Sequence, residues 1–254
     1  MIFTQAIVRL PGQSIVSGLS GSGQQVPSYE QTLEQHRQYV SVLKNCGLNV
    51  NILDAEEAYP DSTFVEDVAV ITPHCAIVTA PGAFSRRGEL AAIRQSLNRY
   101  HSCVESINAP GTLEGGDVMQ IGSHYYIGLS NRTNEAGAQQ LIDILERYGM
   151  TGSTIPVKKF LHLKTGVTWL GNNTLIAAGE FIAHPAFKEF NIIPVTPEEQ
   201  GAANCILING KIITPAGFPQ TRALLDQLVT EIVAVDISEF AKIDGGLTCL
   251  SLRF

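Results

Sequence analysis

The sequence predicts an α/β fold in which one ββαβ motif is used five times, a five-bladed α/β propeller with pseudo-fivefold symmetry and a single domain over 1–254. Three observations lead there. Paired apolar runs recur at a spacing of roughly forty to fifty residues. Amphipathic helical stretches lie between them. A half-repeat is left over at each end of the chain. An α/β sandwich whose hairpins look alike by chance fits the same pattern, and the repeats alone leave both architectures open.

The copies read in order as follows. Residues 65–71 form an apolar run, turn at Pro73-His74, and return over 75–78 before the stop Ala80-Pro81-Gly82. Residues 115–121 turn at Gly122-Ser123 and return over 124–128. Residues 165–170 turn at Gly171-Asn172-Asn173 and return over 174–179. Residues 203–208 turn at Asn209-Gly210 and return over 211–214. Asn-Gly between apolar runs is a strong hairpin signal, because both residues tolerate the positive φ of a two-residue turn. The fifth copy is split, with one strand in 245–252 and its partner in 3–9, so strands from both termini close the domain. Helical spacing of apolar residues marks 29–46, 87–100, 134–148 and 221–229, and Glu30 and Glu135 suit helix starts.

A repeat of this kind brings the same end of every first strand to one place. The residues at those ends are Glu66-Asp67, Glu114 to Asp117, His162 to Gly166, Asn204, and Asp244 to Cys249. Acids, a histidine and a cysteine are thereby expected to converge.

Composition narrows the classes of partner. A net charge of −7 and no basic run argue against a nucleic-acid partner. The first residues lack a basic segment followed by a long apolar one, and no run approaches the ~20 apolar residues of a membrane span. Five cysteines at irregular spacing fit a reducing, cytoplasmic setting better than a disulfide framework. No CxxC, HxH or HExxH occurs, so a zinc site is not expected. The ligand expected is a small molecule; a homodimer through blade edges is compatible with the pattern, though no stripe marks it.

Cysteine chemistry needs a thiolate beside a base or a cation. Cys249 follows the flexible Asp244-Gly245-Gly246 turn, whereas Cys75 and Cys205 sit in apolar runs and read as core. Taken alone, Cys249 reads more readily as a small buried hydrophobe than as a nucleophile. His162 lies between Leu161 and Leu163, and strand alternation turns it to the polar side. A carboxylate partner would make it a general base, and Glu114 holds the matching position one copy earlier. Glu66 and Asp67 suit a planar cation, or simply open a strand. Arg86 and Arg132 follow second strands, where arginine forks suit a carboxylate and equally suit a solvated helix start. Asp61 after Pro60 suits an α-amino group or a turn cap. The remaining histidines, His36, His74, His101, His124 and His184, read as surface or loop residues.

These segments, taken together and in order, resemble the guanidino-group-modifying enzymes, and among them the dimethylarginine dimethylaminohydrolase family. The resemblance rests on Pro60-Asp61-Ser62-Thr63-Phe64-Val65-Glu66-Asp67, Ser85-Arg86-Arg87-Gly88-Glu89 and Glu114-Gly115-Gly116-Asp117. It continues through His162-Leu163-Lys164-Thr165-Gly166, Asn204, and Ile243-Asp244-Gly245-Gly246-Leu247-Thr248-Cys249. It implies the five-bladed propeller and hydrolysis of Nω-methylated L-arginine to L-citrulline and dimethylamine or methylamine, with no metal or other cofactor. By that resemblance Cys249 attacks the guanidinium carbon to form a thiouronium, His162 is general acid and base, and Glu114 orients it. Asp67 with Glu66 holds the guanidinium, Arg86 and Arg132 clamp the α-carboxylate, and Asp61 with the backbone near Leu19 and Ile243 takes the α-amino group.

Two other readings stand beside it. Arginine deiminases resemble the chain at the histidine motif but carry an aspartate where Lys164 stands. Without that acid a substrate bearing N–H there loses a contact of about 1.5–3 kcal/mol. A non-catalytic sensor of guanidino ligands would need the acids and arginines but neither Cys249 nor His162. A papain-like protease is disfavoured by the order and position of the two residues. Residues 18–27, rich in Gly, Ser and Gln, read as a loop over the ligand.

Overall fold

The structure is a computed structural model that describes residues 2–21, 25–228 and 230–254. Part of the expected loop over 18–27, and the last residue of the stretch 221–229, lie outside the described residues. Among the described residues no helix is long and apolar enough to cross a membrane.

Among the described residues fifteen strands form five three-stranded sheets. The strands are β1 (Gln5–Arg9), β2 (Asn49–Leu53), β3 (Ala69–Ile71), β4 (Ala76–Val78), β5 (Val104–Ser106), β6 (Val118–Ile121), β7 (His124–Leu129) and β8 (Thr151–Pro156). They continue with β9 (Val167–Gly171), β10 (Thr174–Ala178), β11 (Asn191–Val195), β12 (Ile206–Ile208), β13 (Lys211–Pro215), β14 (Glu231–Val235) and β15 (Leu252–Arg253). In every sheet the central strand pairs antiparallel with the first and parallel with the third. The split copy behaves as expected: β15 from the C-terminus pairs with β1 from the N-terminus.

A parallel third strand requires a crossover, and helices supply it. They are α1 (Tyr29–Asn45), α2 (Leu90–Leu97), α3 (Glu135–Arg147) and α5 (Pro219–Leu225), with α4 (Leu163–Gly166) and α6 (Ser238–Ala241) as single turns elsewhere. α3 buries Ala138, Leu141, Ile144 and Leu145, the three- and four-residue spacing of one helical face, and the Asn134 side chain caps its start. The crossover from β10 to β11 lacks a full helix. Two short turns replace it, pinned by the fully buried rings of Phe181 and Phe187, so no amphipathic period shows there in the sequence. The Asn209-Gly210 turn has φ of 49° and 83°, as its chemistry predicts.

The structure departs from the sequence reading at one recurring place. At or just before the start of each expected first strand lies a tight helical turn: Val65–Val68, Gly115–Asp117, Leu163–Gly166, Pro197–Ala203 and Thr248–Leu250. Period-two alternation therefore does not orient His162, which is the extended residue preceding α4. These turns are linked in a closed circuit of hydrogen bonds. Gly116 N–H donates to Asp67 Oδ1 at 3.2 Å, and Leu163 N–H to Asp117 Oδ1 at 2.9 Å. Asn204 Nδ2 donates to the Lys164 carbonyl at 2.8 Å, Thr248 N–H to Asn204 Oδ1 at 2.9 Å, and Thr248 Oγ1 to Glu66 Oε2 at 2.6 Å. Packing of one turn on the next is tight enough that a Cβ on Gly115 would drive into the Glu66 carbonyl. Backbone groups freed by ending the strand early are thus met by buried side chains of the neighbouring copy.

One histidine contradicts its sequence reading. His36 is buried on α1 at 1% exposure, and burial lowers its pKa to about 4. Its place on the inward face of the helix, with Gln35, Tyr39 and Val40, explains why.

Candidate active site

A small cleft opens beside four of these turns, those at 65–68, 115–117, 163–166 and 248–250. Its lining includes Cys249, His162, Glu114, Asp67, Arg86, Arg132, Asp61, Leu19 and Ile243, together with Phe64, Leu161, Asp244 and Gly245. Nine of the expected site residues therefore stand around one space. Glu66 does not join them. It turns to a second cavity, held by Lys164 Nζ at 2.6 Å, Thr248 Oγ1 at 2.6 Å and Arg253 at 3.3 Å. Adjacent residues on a helical turn point in different directions, which a strand reading of 65–71 could not reveal for Glu66 and Asp67.

His162 is buried, and its Nε2 lies 2.7 Å from Glu114 Oε2. Burial opposes protonation of the imidazole, but Asp67, the hydrogen bond to Glu114 and Asp117 outweigh it and raise the pKa to about 9. Burial alone would raise the Glu114 pKa; the bond from His162 and the nearby Arg86 and Arg132 bring it below the usual value instead. Asp67, Glu114 and His162 set polar atoms within 4.8 Å of one another. Each already has a protein partner, Arg86 for Asp67 and the mutual bond for the other two.

Cys249 is half-buried at the turn Thr248–Leu250, and its sulfur accepts a 3.4 Å contact from Gly246 N–H. Burial pushes its thiol up to about 12, with Asp67 and Glu66 adding to the rise, while the Gly246 N–H and Lys164 pull the other way. A thiol held that high favours its neutral form over a preformed thiolate.

Arg86 is fully buried and heavily committed. It donates to Asp67 Oδ2 at 2.5 Å, to both oxygens of Glu89 at 2.9 Å, and to the carbonyls of Phe64 and Asp61 at 2.9 and 3.1 Å. Arg132 is freer, 3.6 Å from Glu114 with 21% of its side chain exposed. Asp61 Oδ1 accepts from Leu19 N–H at 2.9 Å, and burial raises its pKa above the ordinary carboxylate value. The two arginines thus stand among the acids of the cleft, Arg86 on Asp67 and Arg132 beside Glu114.

Residues 23–251 match the family described as N,N dimethylarginine dimethylhydrolase, eukaryotic. The chain is 48% identical over 254 residues to N(G),N(G)-dimethylarginine dimethylaminohydrolase of Pseudomonas aeruginosa, covering 100% of both. The chain belongs to the dimethylarginine dimethylaminohydrolase family. A member with the same name from Streptomyces coelicolor is 39% identical over 251 residues, 98% of this chain and 96% of that one. A solved structure of the Pseudomonas aeruginosa family member, a C249S mutant complexed with citrulline, matches at a TM-score of 0.99 with 48% identity over 100% of both chains. A dimethylarginine dimethylaminohydrolase carrying H162G, in an adduct with S-methyl-L-thiocitrulline, matches at 0.98 with 48% identity over 100% of both chains. The N-terminal domain of a cyanobacterial arginine dihydrolase matches at 0.90 over 100% of this chain and 97% of that one, but at 16% identity this shows the fold alone.

Sequence reasoning placed Asp117, Asn204 and Thr248 among the converging residues but gave them no role, and it gave none to Glu89. Asp117 is fully buried, accepts from Ser130 and Thr133 at 2.7 Å, and fixes the Leu163 N–H beside His162. Glu89 holds Arg86. Asn204 and Thr248 join the histidine and cysteine segments. Asp117 and Glu89 stand in the motifs that carry the resemblance, but acids in polar loops give no sign of their burial.

Proposed function

We propose that this protein hydrolyses Nω-methylated L-arginine, asymmetric dimethylarginine and monomethylarginine, to L-citrulline and dimethylamine or methylamine through Cys249. The observation that carries the reading is one cleft that gathers a cysteine, a carboxylate-paired histidine, a second acid, a partly exposed arginine and a buried aspartate. Acids for a cation and an arginine for a carboxylate suit an amino acid whose side chain ends in a guanidinium.

The chemistry follows from the charges. The substrate's guanidinium settles against Asp67, with Glu114 near, supplying the positive charge that the thiol lacks. The Cys249 pKa then falls, its proton leaves to solvent, and the thiolate attacks the guanidinium carbon. His162, charged below about pH 9, gives its proton to the departing dimethylamine as the C–N bond breaks. A thiouronium remains on Cys249. The imidazole, now neutral, takes a proton from water, hydroxide adds to the same carbon, and the adduct collapses to citrulline and free thiol. Glu114 holds the imidazole on Nε2 throughout. Arg132 and Arg86 take the α-carboxylate, Arg132 the more directly because it is less committed, and Asp61 with the backbone at Leu19 and Ile243 takes the α-amino group. Glu66 acts from outside the cleft by holding Thr248 beside the nucleophile.

The closed circuit of turns supports a single-domain, five-bladed propeller with this site at one end of its axis. Five unpaired cysteines support a cytoplasmic setting. The half-exposed third strands β2, β11 and β14 offer edges for a homodimer.

Incubation with asymmetric dimethylarginine tests the function: citrulline and dimethylamine are expected one for one, and citrulline without dimethylamine would contradict it. The free thiol gives a second expectation. Iodoacetamide, a neutral reagent, is expected to modify Cys249 more slowly than a free thiol at pH 8, with a rate still rising at pH 10. Mass spectrometry of the modified peptide reads this directly; a plateau below pH 8 would mean that the thiolate is preformed.

A further inference from the structure

A second cavity of about 350 Å³ shares no lining residue with the catalytic cleft. That size lies within the usual range of small-molecule sites. Its walls are largely apolar, with Val70, Ile71, Met119, Trp169 and Leu207 among them. Among the described residues three charged side chains reach its lining: Glu66, Lys164 and Arg253. One acid against two bases leaves an excess of one positive charge.

The polar groups there are not fully used. An ammonium carries three donors, and Lys164, 14% exposed at its side chain, has Glu66 as its hydrogen-bond partner at 2.6 Å. Arg253 is more committed: it shares the same Glu66 oxygen at 3.3 Å and donates to the Thr248 and Ser251 carbonyls and the Ser251 hydroxyl at 3.3, 3.0 and 2.7 Å. Glu66 alone does not meet the donors of the Lys164 ammonium, and a ligand that carries acceptors would meet them.

We propose that this cavity binds a small organic monoanion, a carboxylate set against Lys164 and Arg253 with an apolar body packed on Trp169, Met119 and Val70. A cation would add to the positive excess. A dianion would carry more charge than that excess balances beside Glu66. A neutral apolar molecule would bury the Lys164 donors without meeting them.

Trp169 is the chain's single tryptophan, so its emission reports this cavity. The full-length protein is titrated with hexanoate, and with hexan-1-ol and hexylammonium as neutral and cationic counterparts. A saturable change with hexanoate is expected, at least tenfold weaker or absent with the other two. Arg253→Gln is expected to weaken the response by about tenfold, the scale of one charge-assisted contact. Leu207→Phe, which fills the cavity, is expected to abolish it. Arg132→Ala, in the other cleft, is expected to leave it unchanged. If Arg253→Gln unfolds, as its circular dichroism would reveal, Lys164→Met takes its place with the same expectation. Emission that stays flat with hexanoate, responds equally to hexanol, or loses its response in Arg132→Ala would overturn the proposal.

Discussion

Replacing Cys249 by serine should abolish citrulline formation from asymmetric dimethylarginine, by roughly 10⁴-fold or more in kcat. A serine hydroxyl in that place faces the same acids with a far higher pKa, and the guanidinium charge that suffices to ionise a thiol does not suffice for an alcohol. The sulfur's Gly246 contact is weak and the side chain half-buried, so Tm should move little. Binding should survive, because Asp67, Arg132 and Asp61 are untouched. Calorimetry with the substrate and a turnover assay on the same sample separate the two effects. Residual turnover within tenfold of the parent would remove Cys249 from the chemistry.

His162→Gly should cost roughly 10²–10⁴-fold in turnover, the scale of a lost general acid and base. Its more telling signature is a change of limiting step. An analogue with a good leaving group, one that departs without a proton, should still load Cys249, but the thiouronium should then persist because no base activates water. Intact mass after quenching reads that adduct. The pH dependence of stability gives an independent check. The folded pKa of His162, about 9, lies above the unfolded value near 6.5, so its protonated form stabilises the fold. That contribution is fully present below about pH 6.5 and is lost as pH rises through 9. The parent should therefore lose part of its stability between those values, and the glycine variant should not show that component.

The legible part of this molecule was the part written in periods and turn chemistry. The paired apolar runs, the Asn209-Gly210 hairpin, the split fifth copy and the faces of α1 and α3 all follow from residue spacing, and the structure has them. The third strands were less visible, since β2, β5, β8, β11 and β14 are short and half-exposed on the outer side. The tight turns that begin each copy were invisible for a different reason. Residues such as 65–68 and 115–117 are as apolar or glycine-rich as the strands that follow, and only contact with the next copy bends them. That bend separates Glu66 from Asp67 and sends one to each cavity. Arg86 illustrates the same limit. Its type suggests a free fork, and only the fold reveals Glu89 and Asp67 already holding it. Local pattern carried the scaffold; the resemblance carried the roles; the buried partners needed three dimensions.

Competition between substrates tests the central claim most directly. Equal concentrations of asymmetric dimethylarginine and arginine are mixed with the protein, and dimethylamine and ammonia are measured over the first tenth of the reaction. Their ratio equals the ratio of kcat/KM for the two substrates. Lys164 lies outside the cleft, paired with Glu66 in the second cavity, and so puts no carboxylate beside a terminal nitrogen that bears N–H; dimethylamine should exceed ammonia by roughly tenfold to a hundredfold. Ammonia in excess of dimethylamine would contradict the account and make the protein an arginine deiminase built on this fold.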